Sequence, residues 1–127
     1  MNQRIRILIV DDQRPTRQGL KALLTHYPQV EVVGEAANGQ EAVQLVAAHQ
    51  PDVVLMDIQM PVMNGVEAAR QIKSNWPQVK VVALAMYGTY EIEALKAGVD
   101  VFLVKGFPTK TLLDAILNVN PISSQER

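Results

Sequence analysis

Cysteine is absent from all 127 residues. Disulfide bridges, thiolate nucleophiles and sulfur-ligated metals are excluded with it, which fits a reducing compartment. Charge of one sign is also lacking: a net charge of -1 gives no general attraction to nucleic acid or to an anionic membrane. No apolar run nears the roughly 20 residues that cross a bilayer. The opening MNQRIRILIVDD turns acidic after one short apolar run and has no small-residue cleavage site of the secretory kind. A cytoplasmic protein is therefore expected. Neither GxGxxG nor GxxxxGK[ST] occurs, so the usual dinucleotide and NTPase phosphate loops are missing. There is no internal repeat.

What is present is an ordinary single-domain composition, 48% apolar and 20% charged, long enough to bury a substantial core. Strand-like and helix-like segments alternate. IRILIV, VEVVGEA, DVVLMD, KVVALAM and DVFLVK read as strands, most of them nearly continuous in Val, Ile and Leu. Between and after them, PTRQGLKALLTHY, GQEAVQLVAAHQ, GVEAARQIKSNW, TYEIEALKAG and PTKTLLDAILNV read as helices. The first sets Leu20, Leu23, Leu24 and Tyr27 on one face with Pro15 in its first turn, and the last turns Leu112, Leu113 and Ile116 inward. Strands so continuously apolar need helices on both faces. Right-handed crossovers then favour a doubly wound α/β fold, a five-stranded parallel sheet in order 2-1-3-4-5 as in a flavodoxin-like three-layer sandwich. The length excludes an eight-stranded barrel. The domain is expected over residues 1–120, with 121–127 a polar tail or the start of a linker.

Ligands in this architecture bind beyond the carboxyl ends of the strands. That edge collects Asp11 and Asp12 from strand one, Asp57 from strand three and Lys105 from strand five. Three carboxylates in one small space raise one another's pKa unless a cation sits among them. Hard oxygen donors without His or Cys favour Mg²⁺, or Mn²⁺, over zinc or copper. Lys105 adds a mobile point charge suited to phosphate. The combination is suited to a metal and a phosphoryl group together.

Plainer readings exist for each piece. Asp12 could cap the first helix while Asp11 faces water, and an Asp before a turn is common. A flavin-binding electron carrier would share the architecture, but the loop DDQRPT would repel a cofactor phosphate. A carboxylate-and-metal hydrolase lacks a specified acid/base pair. His26, His49 and Trp76 read as boundary or packing residues, and Met56, Met60, Met63 and Met86 as packing groups around a loop.

Taken in order, IRILIVDDQ, VVLMDIQMPVMNG and VFLVKG resemble the receiver domain of bacterial two-component response regulators, from about Ile5 to Val119. MYGTYEIEALKAGVD before LVKG is most similar to the branch whose receivers precede a LuxR-type helix-turn-helix domain. The resemblance implies that Asp57 accepts a phosphoryl group from a phosphohistidine on a sensor histidine kinase. It implies Asp12 and Asp57 as direct Mg²⁺ ligands, the backbone carbonyl of Gln59 as a third, Asp11 acting through water, and Lys105 on the phosphoryl oxygens. Such a domain assists its own phosphorylation and dephosphorylation without being an enzyme in the usual sense. Homodimerisation is a further expectation of the family, through helix four, strand five and helix five or through helices one and five. Pro61 and Gly65 serve the turn after the acceptor.

The resemblance also exposes departures. Ala85 stands where the family carries a Ser or Thr whose hydroxyl binds the phosphoryl group, and Phe102 stands for the commoner switch Tyr. Phosphorylation chemistry is thus expected to be intact and the conformational switch weakened. Gly106 replaces the proline that often follows the lysine, and can adopt unusual dihedrals there. No basic recognition helix lies between Met1 and Arg127. DNA would be reached only through a helix-turn-helix domain outside these residues. Otherwise the chain is a single-domain regulator working by protein contacts.

Overall fold

The computed structural model describes residues 3–60 and 63–118. Five strands, β1 (Ile5–Val10), β2 (Val30–Ala36), β3 (Val53–Asp57), β4 (Lys80–Ala85) and β5 (Val101–Val104), form one parallel sheet in order β2-β1-β3-β4-β5. The helices are α1 (Arg14–Leu24), α2 (Gly39–His49), α3 (Gly65–Asn75), α4 (Glu91–Lys96) and α5 (Thr109–Leu117). The expected doubly wound order is the one observed. Among the described residues no helix is long and apolar enough to cross a membrane.

Alternation along the strands divides the core in two. Ile7 and Ile9 of β1, Val53 and Leu55 of β3, and Val82 and Leu84 of β4 pack with Leu24 of α1 and Leu112 and Ile116 of α5. Leu8 and Val10, Val54 and Met56, and Val81, Ala83 and Ala85 pack on the other face with Ala42, Val46, Ala68, Ala69, Ile72 and Ala94 from α2, α3 and α4. Both faces of the central strands are therefore buried, as their unbroken apolar runs require. Each full burial of such a side chain is worth about 1.5–3 kcal/mol.

Local chemistry sets the helix ends. Asn38 and Asn64 cap α2 and α3, each accepting the amide of the glutamate three residues on, at 2.8 and 2.9 Å. The sequence N-G-x-E thus occurs twice with the same function. α1 stops at Leu24 instead of reaching Tyr27: the chain tightens into i−3 bonds, His26 to Leu23 at 3.2 Å and Tyr27 to Leu24 at 3.1 Å, before Pro28. Tyr27 still packs on the same core as Leu20 and Leu23. The expected fourth helix divides into a 3-10 turn at Gly88–Tyr90 followed by α4. Trp76 ends α3 and packs on the core, but Met86 is 54% exposed and is not a packing group. Pro61 and the tail at 121–127 lie outside the described residues.

Gly65 does more than turn the chain. A Cβ built there would lie 2.4 Å from the Asp57 carbonyl oxygen and 2.7 Å from the Ile58 Cα, so α3 begins in contact with the backbone of β3's end. Gly19, exposed within α1, would meet nothing within 4 Å. The two glycines should respond oppositely to alanine. Gly65→Ala is expected to lower unfolding free energy by about 1–3 kcal/mol through overpacking. Gly19→Ala is expected to raise it by about 0.5–1 kcal/mol through helix propensity. Urea denaturation of the two variants beside the parent chain measures both.

Candidate functional site at the carboxyl edge of the sheet

The parallel sheet delivers the ends of β1, β3 and β5 to one edge. Asp11 continues β1 by donating its amide to the Ala36 carbonyl at 3.0 Å, which turns its side chain into the protein; it is 1% exposed. One carboxylate oxygen, Oδ1, accepts the Gln13 amide at 2.8 Å. The other, Oδ2, has no hydrogen-bond partner among the described residues. A buried acceptor left open is costly and points to a cation. Asp12 is half-buried and lines an open groove of about 610 Å³ together with Gln59, Met60, Glu67 and Tyr90. Its side chain does not cap α1, whose N-cap is Gln13 with no side-chain bond. The plainer reading of the acidic pair, one residue capping and the other facing water, is thereby set aside.

Asp57 ends β3 and is 7% exposed. Its Oδ1 accepts the Gln59 amide at 3.3 Å. Lys105 Nζ stands 3.7 Å from Asp11 Oδ2 and 3.8 Å from Asp57 Oδ1, an ion pair to each carboxylate without a close hydrogen bond to either. Carboxylate oxygens of Asp11, Asp12 and Asp57 all come within 4.8 Å of one another. Burial, followed by the neighbouring Asp11 charge, raises the Asp57 pKa from its ordinary 3.8 to about 6; Lys105 and the Gln59 amide only partly oppose this. One lysine does not neutralise three carboxylates. The donor set, all oxygen and one of them an unpartnered buried atom, fits a hard divalent cation.

Residues 7–117 match the profile of the response regulator receiver domain. The chain is a response regulator receiver domain. Its relatives place it in the LuxR-type branch. It is 40% identical over 115 residues to the transcriptional regulatory protein DegU of Brevibacillus brevis, covering 89% of this chain and 49% of DegU. The crystal structure of a LuxR-family two-component response regulator from Aurantimonas sp. SI85-9A1 superposes with a TM-score of 0.86 at 30% identity, covering 92% of this chain and 85% of that one. A chain of the CheX–CheY–BeF3–Mg²⁺ complex of Borrelia burgdorferi gives 0.83 at 28% identity, covering 91% and 88%. The receiver spans about half the length of the curated relatives it matches.

Of the residues expected from sequence, Asp11, Asp12, Asp57 and Lys105 come together, and Gln59 adjoins them through its amide. Ala85 is fully buried at the end of β4, and its carbonyl accepts the Lys105 amide at 2.7 Å. Phe102, opposite Ala83 in register, packs on the same core as Ala85. Gly106 has φ +102°, the left-handed conformation open to glycine. Arg17, which donates to the Asp11 carbonyl, and its partner Glu35 escaped the sequence reading. The available signal was Glu35 itself, a charge in the run VEVVGEA.

The raised pKa gives stability a definite pH dependence. Between about 3.8 and 6 the folded protein keeps the Asp57 proton while the unfolded chain has lost it, so stability falls as pH rises through that window. The full cost above it is up to about 3 kcal/mol. In metal-free buffer, Asp57→Asn should therefore be more resistant to urea than the parent at pH 7.5, with the advantage gone near pH 4. Parallel pH profiles for the two proteins would rule out the burial effect.

Proposed function

We propose that this receiver accepts a phosphoryl group on Asp57 from a phosphohistidine of a sensor histidine kinase in the cytoplasm, in a Mg²⁺-dependent reaction, and so regulates an output, transcription. The observation that carries the proposal is the buried, partly uncompensated carboxylate triad with Lys105 on its rim. An Asp57 oxygen attacks phosphorus, the P–N bond to imidazole breaks, and an acyl phosphate forms as the imidazole leaves with the bond electrons. The nucleophile must be ionised, which a pKa of about 6 permits at neutral pH. Lys105 lies within reach of the Asp57 carboxylate, where it balances charge on the transferring group's equatorial oxygens.

Asp11, Asp12 and Asp57, with the Gln59 carbonyl, are the residues that would hold Mg²⁺, or Mn²⁺ in its place. When bound, the metal supplies charge neutralisation to carboxylates and phosphoryl oxygens. The related chain in complex with BeF3 and Mg²⁺ supports this reading. DegU, named a transcriptional regulatory protein, supports the output, which would lie in sequence beyond this receiver. The exposed Ile92, Leu95 and Val104 on α4 and β5 support that face as the one for self-association.

Incubation with Mg²⁺ and a small acyl phosphate should add one phosphoryl group by intact mass, and none to Asp57→Asn. Labelling retained in Asp57→Asn would move the acceptor elsewhere. Sedimentation of the labelled sample reads self-association directly, and a monomer before and after would exclude a homodimer of this domain.

Ala85 and Phe102 are proposed as the altered switch. Methyl in place of hydroxyl removes a hydrogen bond to a charged phosphoryl oxygen, worth about 1.5–3 kcal/mol, or roughly ten- to a hundredfold in a two-state population. Ala85→Thr should enlarge the amide shift changes that beryllofluoride, a phosphoryl mimic, produces at Met86, Tyr87 and Phe102. Mg²⁺ affinity should stay nearly constant. Ala85→Ser adds only one oxygen to this fully buried position and serves where threonine overpacks it. A parent protein that already shifts as fully as both variants would remove Ala85 from the switch.

A further inference from the structure

Behind the acidic pocket, a guanidinium grips the backbone of the loop that carries it. Arg17 of α1 donates from Nη1 to the Asp11 carbonyl at 2.6 Å, and from Nε to Glu35 Oε1 of β2 at 3.2 Å. Both side chains are largely covered, 15% and 23% exposed. Glu35 also accepts from Gln18 and Lys21, at 3.4 and 3.3 Å, so donors from three residues of α1 converge on it. Arg17 is thereby held from one side while it holds the chain from the other. A planar fork fixes the directions of its two bonds relative to each other; a lysine ammonium can meet several acceptors but does not impose that geometry.

The contact falls on a consequential peptide. The Asp11 carbonyl and the Asp12 amide belong to one rigid planar unit, so orienting that carbonyl also orients the bond leading to the Asp12 Cα. The preceding peptide is fixed by the Asp11 amide on Ala36. Between these two bonds the backbone at Asp11 has little freedom left, and the Asp12 Cα is placed with it. We propose that Arg17, oriented by Glu35, is a positioning residue for the metal site: it sets the Asp11–Asp12 peptide plane and so preorganises Asp12 for the divalent cation. The proposal rests on the metal reading above.

Calorimetric Mg²⁺ titration of the whole 127-residue chain tests it. Arg17→Ala should weaken Mg²⁺ binding about tenfold, the lower end of the range for groups that orient metal ligands. Arg17→Lys, which keeps the charge but not the fork, should recover little of that loss. Glu35→Gln should lose affinity in the same direction by less. Lys21→Ala also strips a partner from Glu35 but touches nothing at Asp11, and should bind within twofold of the parent. In metal-free samples the Asp11 carbonyl ¹³C resonance should move in both Arg17 variants and stay in place in Lys21→Ala. Parent-like affinity in Arg17→Ala, full recovery in Arg17→Lys, or an equal loss in Lys21→Ala would each overturn the positioning role while leaving the metal site standing. Failure of the parent chain itself to bind Mg²⁺ would overturn the metal reading and this proposal with it.

Discussion

The repulsion among three carboxylates at the end of a hydrophobic sheet is the constraint around which this receiver is arranged. β1 and β3 are neighbours, so the residues leaving them cannot avoid each other. Asp11 and Asp57 are also sheltered from the water that would screen them. The protein answers with partial measures, one lysine from β5 at nearly 4 Å and single amides on Asp11 and Asp57, while one Asp11 oxygen keeps no hydrogen-bond partner among the described residues. Each measure reduces the strain without removing it. The residual demand for positive charge is one that a hard divalent cation would satisfy.

A site under such internal repulsion needs a stiff frame. The apolar strands provide most of it, since both faces of β1, β3 and β4 are buried and their ends cannot drift independently. Backbone bonds finish the work. Ile58 donates to the Leu84 carbonyl at 3.1 Å, and Lys105 to that of Ala85 at 2.7 Å. The end of β3 is thereby tied to β4, and β4 to the lysine. Away from the site, Lys73 of α3 reaches the Pro77 and Val79 carbonyls and the Asp100 carboxylate, which also accepts the Val81 amide; this joins α3 to the entries of β4 and β5.

The fold was legible because its signals are local and repeated. IRILIV and VEVVGEA coincide with β1 and β2 to the residue, and the two-sided burial of β3 and β4 follows from their runs of Val, Leu, Met and Ala. The meeting of Asp11, Asp12, Asp57 and Lys105 was legible for a related reason: strand ends in a parallel sheet share an edge, so sequence position translates into proximity. Features that depend on packing at a distance were not. Nothing in the letters around Gly65 reveals that the Asp57 carbonyl lies against it. Arg17 reads as one more charge on an exposed helix until β2 brings Glu35 beside it. The exposure of Met86 likewise depends on how the chain leaves β4, which composition does not determine.

The contact at Gly65 has a corollary for insertions and deletions. The Gly65 amide donates back to the Ile58 carbonyl at 2.8 Å, closing the intervening segment into a ring, while the Gly39 amide holds the Met63 carbonyl at 3.1 Å. A residue added or lost between Ile58 and Gly65 has to be absorbed while both bonds and the approach of Gly65 to the Asp57 carbonyl are kept. The start of α3 is therefore placed by backbone contacts as well as by its Asn64 cap.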